Sequence, residues 1–295
     1  EYDPCPDDLA DITLNKLKLA ASADKTRLTT LLEEESNKET ADIPSTVKHG
    51  LWRNFADVAA VAAVILVVAM VSMPMFSNMR QKAWQVACNA GLGRIGQGIN
   101  RYMNDNDYEM PAVASAAGSP WWKVGDQGEK NQSNTRHPWI LVKNGYVQGE
   151  DFTCPGRKDT ADAKYTQDQL KKLQDFPSRR HISYSYVYMC RKRAKQAKQH
   201  WNGRMVILAD RNPIFEKISP DATVEQFEKF SVGDELRKAM SQNHGNGQTL
   251  LFYDGSVNYK NVRVISGDDI YTAKDKTIYT GCETPDGMQD IFLIP

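Results

Sequence analysis

The segment from Phe55 to Phe76 limits the possible folds more than any other part of the chain. It is strongly apolar and holds one charged residue, Asp57. A helix rises about 1.5 Å per residue, so a segment of this length is about long enough to cross the ~30 Å hydrocarbon core of a bilayer. The sequence therefore predicts a transmembrane helix at about 55–76.

Asp57 needs an explanation within this span. An aspartate at the bilayer centre costs about 2.5 to 3.5 kcal/mol on insertion scales, and less near an interface. Asp57 follows Arg53 by one helical turn. We expect it to lie at the cytoplasmic interface and to pair with Arg53.

A second helix is predicted at about 80–104, and no turn signal separates it from the first. Apolar residues recur at steps of three and four, which places them on one helical face. They are Trp84, Cys88, Leu92, Ile95, Ile99 and Tyr102. This amphipathic helix must be covered on its apolar face.

Glycines at 91, 93, 96 and 98 each weaken the same helix by about 1 kcal/mol relative to alanine. Small residues allow another backbone to approach closely. Gly91 and Gly96 are therefore candidate packing positions. The partner is either this chain's own sheet or a second subunit, and the sequence leaves both open.

The rest of the chain, 111–295, is predicted to be a β-rich head. Strands are expected at Ile182–Met189, Met205–Ala209, Thr249–Tyr253 and Ser256–Tyr259. Asp254-Gly255 lies between the last two, which predicts a two-residue type I′ hairpin. An antiparallel sheet packed on the amphipathic helix gives an α+β architecture. Two helices, Asp168–Phe176 and Asp221–Met240, are expected between strands.

Several motifs occur in the order found in one known family. Asp57 stands seventeen residues before Pro74, and His244 is followed after nine residues by Asp254-Gly255. The others are Cys88-x3-Leu92-x2-Ile95-Gly96-x2-Ile99-x2-Tyr102, Asp105-Asn106, Pro111, Cys154-Pro155, Ser183-Tyr184-Ser185-Tyr186, Ala209-Asp210-Arg211-Asn212-Pro213, Asp268-Asp269-Ile270-Tyr271-Thr272 and Leu293-Ile294-Pro295. Over about 55–295 the chain resembles the planctomycetal pilin-like family with an H-x9-D-G motif, which is related to type IV pilins and pseudopilins.

The resemblance implies a pilin-like fold, in which a long N-terminal transmembrane and amphipathic helix packs on an antiparallel head. It implies a single-pass membrane protein with a cytoplasmic N-terminus and a periplasmic or cell-surface head. In pilins the residue equivalent to Asp57 pairs with the free amine of a neighbouring subunit. That role is an alternative to pairing with Arg53.

One feature departs from the family. A glycine precedes the first mature residue in processed pilins, whereas Trp52 stands at that position here and Gly50 comes two residues too early. We therefore expect an unprocessed chain. Residues 1–50 carry eleven acidic and six basic residues and are predicted to form an acidic, partly helical cytoplasmic segment that ends in a linker.

The family motif residues His244, Asp254 and Gly255 are predicted to be structural. Ten steps at about 3.3 Å would separate His244 from Asp254 by ~30 Å in an extended chain. Asp254 is interpreted as a turn former and His244 as a loop residue that bonds backbone groups. No catalytic residue is identified, so the protein is not expected to be an enzyme.

Four cysteines, Cys88, Cys154, Cys190 and Cys282, would lie in an oxidising compartment if the head is exported. They allow two disulfides in any of three connectivities. None belongs to a CxxC pair or to a Cys/His cluster in the sequence. Neither a metal nor another cofactor is therefore predicted.

A basic run lies at 191–198, and the chain as a whole has a net charge of zero. Its cations are Arg191, Lys192, Arg193, Lys195 and Lys198. Such a run is typically a solvated helix face, with contacts to anionic glycans or lipid head groups as the alternative; nucleic acid is not an expected partner. Trp121, Trp122, Trp139 and Trp201 would offer stacking surfaces for sugars, although tryptophans in such a head are usually buried.

The sequence thus favours a membrane-anchored structural subunit that packs laterally through its long helix. Its expected partners are the membrane and copies of itself or components of a pilus or secretion system, in a filament or other assembly. One alternative is a tethered surface module that binds glycans or envelope polymers. The other is a signalling protein that acts through the acidic N-terminal segment.

Overall fold

The computed structural model describes residues 52–114, 120–125, 132–219, 227–244 and 247–295. The side chains at 52–60, 64, 68, 69 and 71–75 lie outside this description. The chain divides into two compact units, 1–68 and 69–295. The predicted acidic segment at 1–50 falls outside the described residues.

Helix α1 runs from Trp52 to Asp105 as one helix of 54 residues. It joins the two helices predicted at 55–76 and 80–104 without a break, which confirms that no turn separates them. The side chains of Asp57 and Pro74 are outside the described part. Among the residues that the structure describes, no helix combines the length and the apolar character needed to cross a membrane.

The described part of the head contains four further short helices and a five-stranded sheet. The helices are α2 (Arg136–Lys143), α3 (Gln167–Lys172), α4 (Arg191–His200) and α5 (Asp234–Lys238), with 3-10 turns at Gly149–Phe152, Arg179–His181 and Pro213–Lys217. The strands of the sheet are β1 (Tyr184–Val187), β2 (Val206–Asp210), β4 (Gln248–Phe252), β5 (Val257–Lys260) and β9 (Leu293–Ile294). Two small pairs join β3 (Phe230–Ser231) to β8 (Ile278–Tyr279) and β6 (Val264–Ile265) to β7 (Asp268–Asp269).

The strand order is β5-β4-β2-β1-β9, and every pair is antiparallel. All residues of β1, β2, β4 and β9 are buried, whereas β5 alternates between exposed and half-buried residues as an edge strand does. The predicted α+β class with an antiparallel sheet is confirmed.

Both predicted head helices are shorter than expected. A capping box between Thr166 and Gln169 begins α3. The helix ends at Lys172 rather than at Phe176, because the Asp175 carboxylate is buried and accepts a hydrogen bond from Thr135 Oγ1 at 2.9 Å. The predicted helix at 221–240 is reduced to α5 in its described part. Phe230 is in β3, where its ring stacks on Tyr279 with centroids 5.7 Å apart.

The hairpin between β4 and β5 is not the predicted type I′ turn. Gly255 has φ +84, whereas Asp254 does not have a positive φ, and a type I′ turn requires both. The Gly255 amide bonds the Phe252 carbonyl at 2.9 Å, and the Phe252 amide bonds the Ser256 carbonyl at 2.9 Å. This is a longer turn closed by a glycine in the left-handed region. Asp254 keeps its ordinary φ because its Oδ1 accepts bonds from the Ser256 amide and hydroxyl at 2.9 and 2.6 Å.

The C-terminal part of α1 packs on the sheet through the predicted apolar face. Leu92, Ile95 and Ile99 are buried. A Cβ placed at Gly96 would lie 2.9 Å from Leu251 Cδ1 in β4, and one at Gly91 would lie 3.2 Å from the Asp151 carbonyl. Gly91 and Gly96 therefore pack against this chain's own head.

Candidate functional site

Two features of the described residues are unusual enough to suggest function. The first is apolar surface that α1 leaves exposed in each of the two units. The large apolar side chains of α1 that are more than half exposed are Val61, Ile65, Leu66 and Val67 in unit 1–68, and Met70, Phe76, Met79 and Val86 in unit 69–295. Scattered exposed apolar residues are ordinary, but a set that recurs at helical spacing marks an interaction surface.

Within unit 69–295, part of this surface forms a regular pattern that we call the outer stripe. It consists of residues at alternating steps of three and four: Phe76, Met79, Ala83, Val86, Ala90 and Gly93. The first five are exposed, and a Cβ at Gly93 would meet no atom within 4 Å. This spacing is the pattern of a helix-packing seam, and its small residues allow close approach of another helix.

The second feature is a buried group that we call the thiol–histidine cluster: Cys88, Cys154, His244 and Asp210. Cys88 Sγ lies 2.8 Å from Cys154 Sγ. His244 Nε2 lies 3.7 Å from Cys154 Sγ and 3.7 Å from Asp210 Oδ2. The two sulfurs and the imidazole nitrogen lie within 4.8 Å of one another, and all four residues are buried.

Four separate segments position the cluster. Cys88 comes from the buried face of α1, Cys154 follows the 3-10 turn Gly149–Phe152, and Asp210 ends β2. His244 precedes β4. Asp210 is held on both oxygens, since Asn243 Nδ2 donates to Oδ1 at 2.7 Å and the Thr249 amide donates to Oδ2 at 2.6 Å.

The electrostatics of the cluster follow from its burial. The neighbouring Cys88 thiol, and then burial, raise the pKa of Cys154, and burial raises the pKa of the Asp210 carboxyl. Burial lowers the pKa of His244, but its contacts with Cys154 and Asp210 outweigh burial and raise the pKa overall. A free thiolate nucleophile is therefore disfavoured here.

The geometry does not match a nucleophilic triad. In a triad the histidine uses one ring nitrogen for the nucleophile and the other for the carboxylate. Here Cys154 and Asp210 both face Nε2 of His244. Two thiols and an imidazole that converge in this way can form a disulfide or bind a metal ion. The Asp210 carboxylate lies beside the imidazole.

The sequence did not reveal the cluster, because its cysteines are 66 positions apart and Cys154 and His244 are 90 positions apart. Each member does occur in one of the motifs that carry the family resemblance, and this was the available signal. His244 lies in a turn, as predicted, but the contacts of its side chain are with other side chains rather than with backbone groups. Its side chain is buried against Cys154 and Asp210, and its Nδ1 has no hydrogen-bond partner in the described part of the chain.

The remaining predicted residues lie elsewhere. Asp254 and Gly255 form the hairpin turn and bond Ser256 and Phe252 rather than His244. Cys190 is half-buried and Cys282 is exposed, and the four described cysteines are free thiols. Of the three disulfide connectivities, the geometry brings together the one that pairs Cys88 with Cys154.

The basic run forms α4, and its cations divide into two groups. Arg193 is buried and donates to the Gly287 and Asp290 carbonyls at 2.7 and 3.1 Å. Its fellow cations Arg191, Lys192, Lys195 and Lys198 are exposed. Arg193 is therefore a structural residue.

The head tryptophans do not form an open sugar-stacking surface. Trp121, Trp122, Trp139 and Trp201 are all buried. Trp121 packs edge-on against Phe215 and Phe292 at 4.8 and 5.2 Å. The expectation that tryptophans in such a head belong to the core is confirmed for these four.

Comparisons with protein-family models, with curated proteins and with solved structures give no match for the chain.

Proposed function

We propose that the protein is a membrane-anchored, pilin-like structural subunit that packs laterally through α1 into an envelope or surface assembly. The observation that supports this best is the outer stripe. The stripe lies on α1, and the opposite face of this helix is already buried on the protein's own sheet. A helix that buries one face against its own head and exposes a second apolar face can pack against another subunit.

The energetics favour a partner on this surface. Burying a valine, methionine or phenylalanine side chain yields about 1.5 to 3 kcal/mol. Val86, Met79 and Phe76 remain more than half exposed and forgo much of this stabilisation in a lone subunit. Copies of α1 that pack along the outer stripe would bury them together.

The apolar segment at 55–76 supports the membrane part of the proposal. Its described side chains at Val61, Ile65, Leu66, Val67 and Met70 are exposed. Exposed apolar side chains of this kind fit lipid as a partner. The N-terminus would then be cytoplasmic and the head periplasmic or on the cell surface.

The glycan-binding alternative has weaker support. The buried tryptophans offer no stacking face, and the exposed cations of α4 are partly engaged, since Lys198 Nζ lies 4.1 Å from the Tyr108 ring centre and Lys195 lies 3.8 Å from Glu109. The signalling alternative depends on residues 1–50, which are outside the described residues.

Two measurements on the full chain test the proposal. Alkaline carbonate extraction of cell membranes should leave the chain in the pellet, whereas release into the supernatant would contradict anchoring. A photo-crosslinking amino acid at Val86 should give crosslinked multimers in those membranes. The matched control carries the same amino acid at Lys192 of α4, which is exposed but off the stripe; equal crosslinking at both positions would contradict packing through the outer stripe.

A further inference from the structure

We propose that Cys88, Cys154, His244 and Asp210 bind a thiophilic metal ion of the zinc type. This site is separate from the outer stripe and does not depend on the proposed assembly. Thiolate, imidazole and carboxylate are the three ligand types that zinc takes in proteins, and four of them complete its tetrahedral shell. Cys88, Cys154 and His244 supply three ligand atoms that lie within 4.8 Å of one another. Asp210 Oδ2, 3.7 Å from His244 Nε2, supplies the fourth when it moves towards the ion.

The distances around His244 fit ligands around an ion. With bonds of about 2.0 to 2.3 Å, two ligands on one tetrahedral zinc lie about 3.3 to 3.8 Å apart. His244 Nε2 lies 3.7 Å from both Cys154 Sγ and Asp210 Oδ2. A neutral imidazole nitrogen makes one bond, so it cannot serve a sulfur and a carboxylate separately, whereas an ion between the three atoms satisfies all of them.

The sulfur pair is intermediate between two chemistries. A disulfide requires an S–S distance of about 2.05 Å, and two sulfurs on zinc require about 3.7 Å. Cys88 and Cys154 lie 2.8 Å apart, so either product needs a shift of roughly 1 Å. A disulfide would leave His244 Nε2 and Asp210 Oδ2 3.7 Å apart, which is too long for a hydrogen bond. An ion shared by the two residues gives both a direct bond, and this favours the metal.

The surroundings hold the ligands in place. Asn243 Nδ2 bonds both Asp210 Oδ1 and the Ser183 carbonyl, at 2.7 and 2.8 Å. Such outer contacts orient the ligands of metal sites. His244 Nδ1 has no hydrogen-bond partner among the described residues. Nε2 faces the cluster, and this is the nitrogen whose lone pair would bind the ion.

Gly156 keeps the Cys154 loop close to the residue before His244. A Cβ at Gly156 would lie 2.5 Å from the Asn243 carbonyl and 3.4 Å from Cys154 Sγ. Any larger residue would push the Cys154 segment away from His244. A bound ion would join α1, this loop, the end of β2 and the segment before β4, so that metal binding would add to folding stability.

The test begins with the full chain that carries Cys190→Ser and Cys282→Ser, purified in detergent without chelator. These changes remove the other described cysteines and leave the cluster intact. Inductively coupled plasma mass spectrometry should find about one zinc ion per chain. After exchange with Co²⁺, the chain should show the near-ultraviolet charge-transfer absorption of cobalt–thiolate bonds.

Single substitutions then assign the ligands. Cys88→Ser or Cys154→Ser should reduce the charge-transfer band. Asp210→Asn should weaken cobalt binding by at least about 10-fold, because loss of a partner that only orients a ligand already costs about 10- to 100-fold. His244→Asn should shift the visible cobalt bands. A matched variant away from the cluster, His200→Asn, should bind cobalt like the parent.

Two results would overturn the site. One is a metal-free parent in which peptide mapping finds Cys88 and Cys154 joined as a disulfide. The other is a metal-free parent with free thiols that gives no cobalt–thiolate absorption. Both are read on the unmutated cluster, so neither depends on whether a substituted chain folds. Neither bears on crosslinking through the outer stripe.

Discussion

Gly98 in α1 lies so close to Val147 that a Cβ added at Gly98 would overlap Val147 Cγ2. The same Cβ would lie 3.1 Å from the backbone carbonyl of Tyr146. Neither a β-branched side chain in a core nor a backbone oxygen moves aside easily. The glycine is therefore required for α1 to lie this close to the head.

Gly98→Ala should accordingly lower the free energy of unfolding by about 1 to 3 kcal/mol, as overpacking of a core does. Gly93→Ala is the matched control on the same helix, because no atom lies within 4 Å of its Cβ position. That change should instead stabilise by about 0.5 to 1 kcal/mol through helix propensity. Thermal unfolding of the full chain in detergent measures both, and equal effects would contradict the packing.

Stability should depend on pH through His137. Its side chain is buried in α2, and its Nδ1 accepts a hydrogen bond from the Val113 amide at 3.0 Å. Burial, and then Arg136, lower its pKa from 6.5 to about 3. Between these values the unfolded chain binds the proton and the folded chain does not, so His137 makes stability fall as pH drops from about 6.5 towards about 3, by up to about 1.4 kcal/mol per pH unit.

His137→Asn keeps an acceptor for Val113 and removes the titration. The slope of unfolding free energy against pH over that range should become shallower than in the parent. His200→Asn, at the exposed end of α4, should leave the slope unchanged. Identical slopes in all three chains would show that His137 does not titrate as its burial requires.

The basic run should respond differently at neighbouring positions. Arg193→Ala removes the bonds to the Gly287 and Asp290 carbonyls and should cost about 2 to 3 kcal/mol, because a buried charged donor is lost and two acceptors are left bare. Lys192→Ala, at an exposed position, should change stability by less than about 0.5 kcal/mol. Urea unfolding distinguishes them, and equal costs would show that Arg193 is not a structural residue.

The two parts of the H-x9-D-G motif should separate in experiment. Asp254→Ala removes the bonds to the Ser256 amide and hydroxyl and should cost about 1 kcal/mol. It should leave cobalt binding unchanged, because Asp254 bonds its own turn and is not part of the thiol–histidine cluster. Asp254→Asn retains an acceptor and should cost less. Loss of cobalt binding in the alanine variant would contradict this division.

Long, periodic features were predictable from the sequence, and contacts between distant segments were not. The run of apolar steps from Trp84 to Tyr102 predicted the buried face of α1, because helical periodicity is a local property. The end of α3 depends on Asp175 bonding Thr135, 40 positions away, and no local pattern carries that information. The turn at Asp254-Gly255 was located correctly but assigned the wrong type, since Ser256 holds Asp254 in place.

The thiol–histidine cluster shows the same limit at the site level. Cys88, Cys154 and His244 have no ligand spacing in the sequence, and the packing of α1, the Cys154 loop and the segment before β4 brings them together. By contrast, the glycine pattern on α1 did predict close packing. It could not choose between the head and a second subunit, and the structure places Gly91 and Gly96 against the head while Gly93 remains open.

Electron microscopy of the full chain, extracted in mild detergent and held at neutral pH, tests the central claim most directly. Assembly through the outer stripe predicts ordered filaments, sheets or rings from the parent chain. It also predicts their loss in Val86→Asp, which places a charge in the stripe. Uniform single-subunit particles from the parent chain would contradict the account.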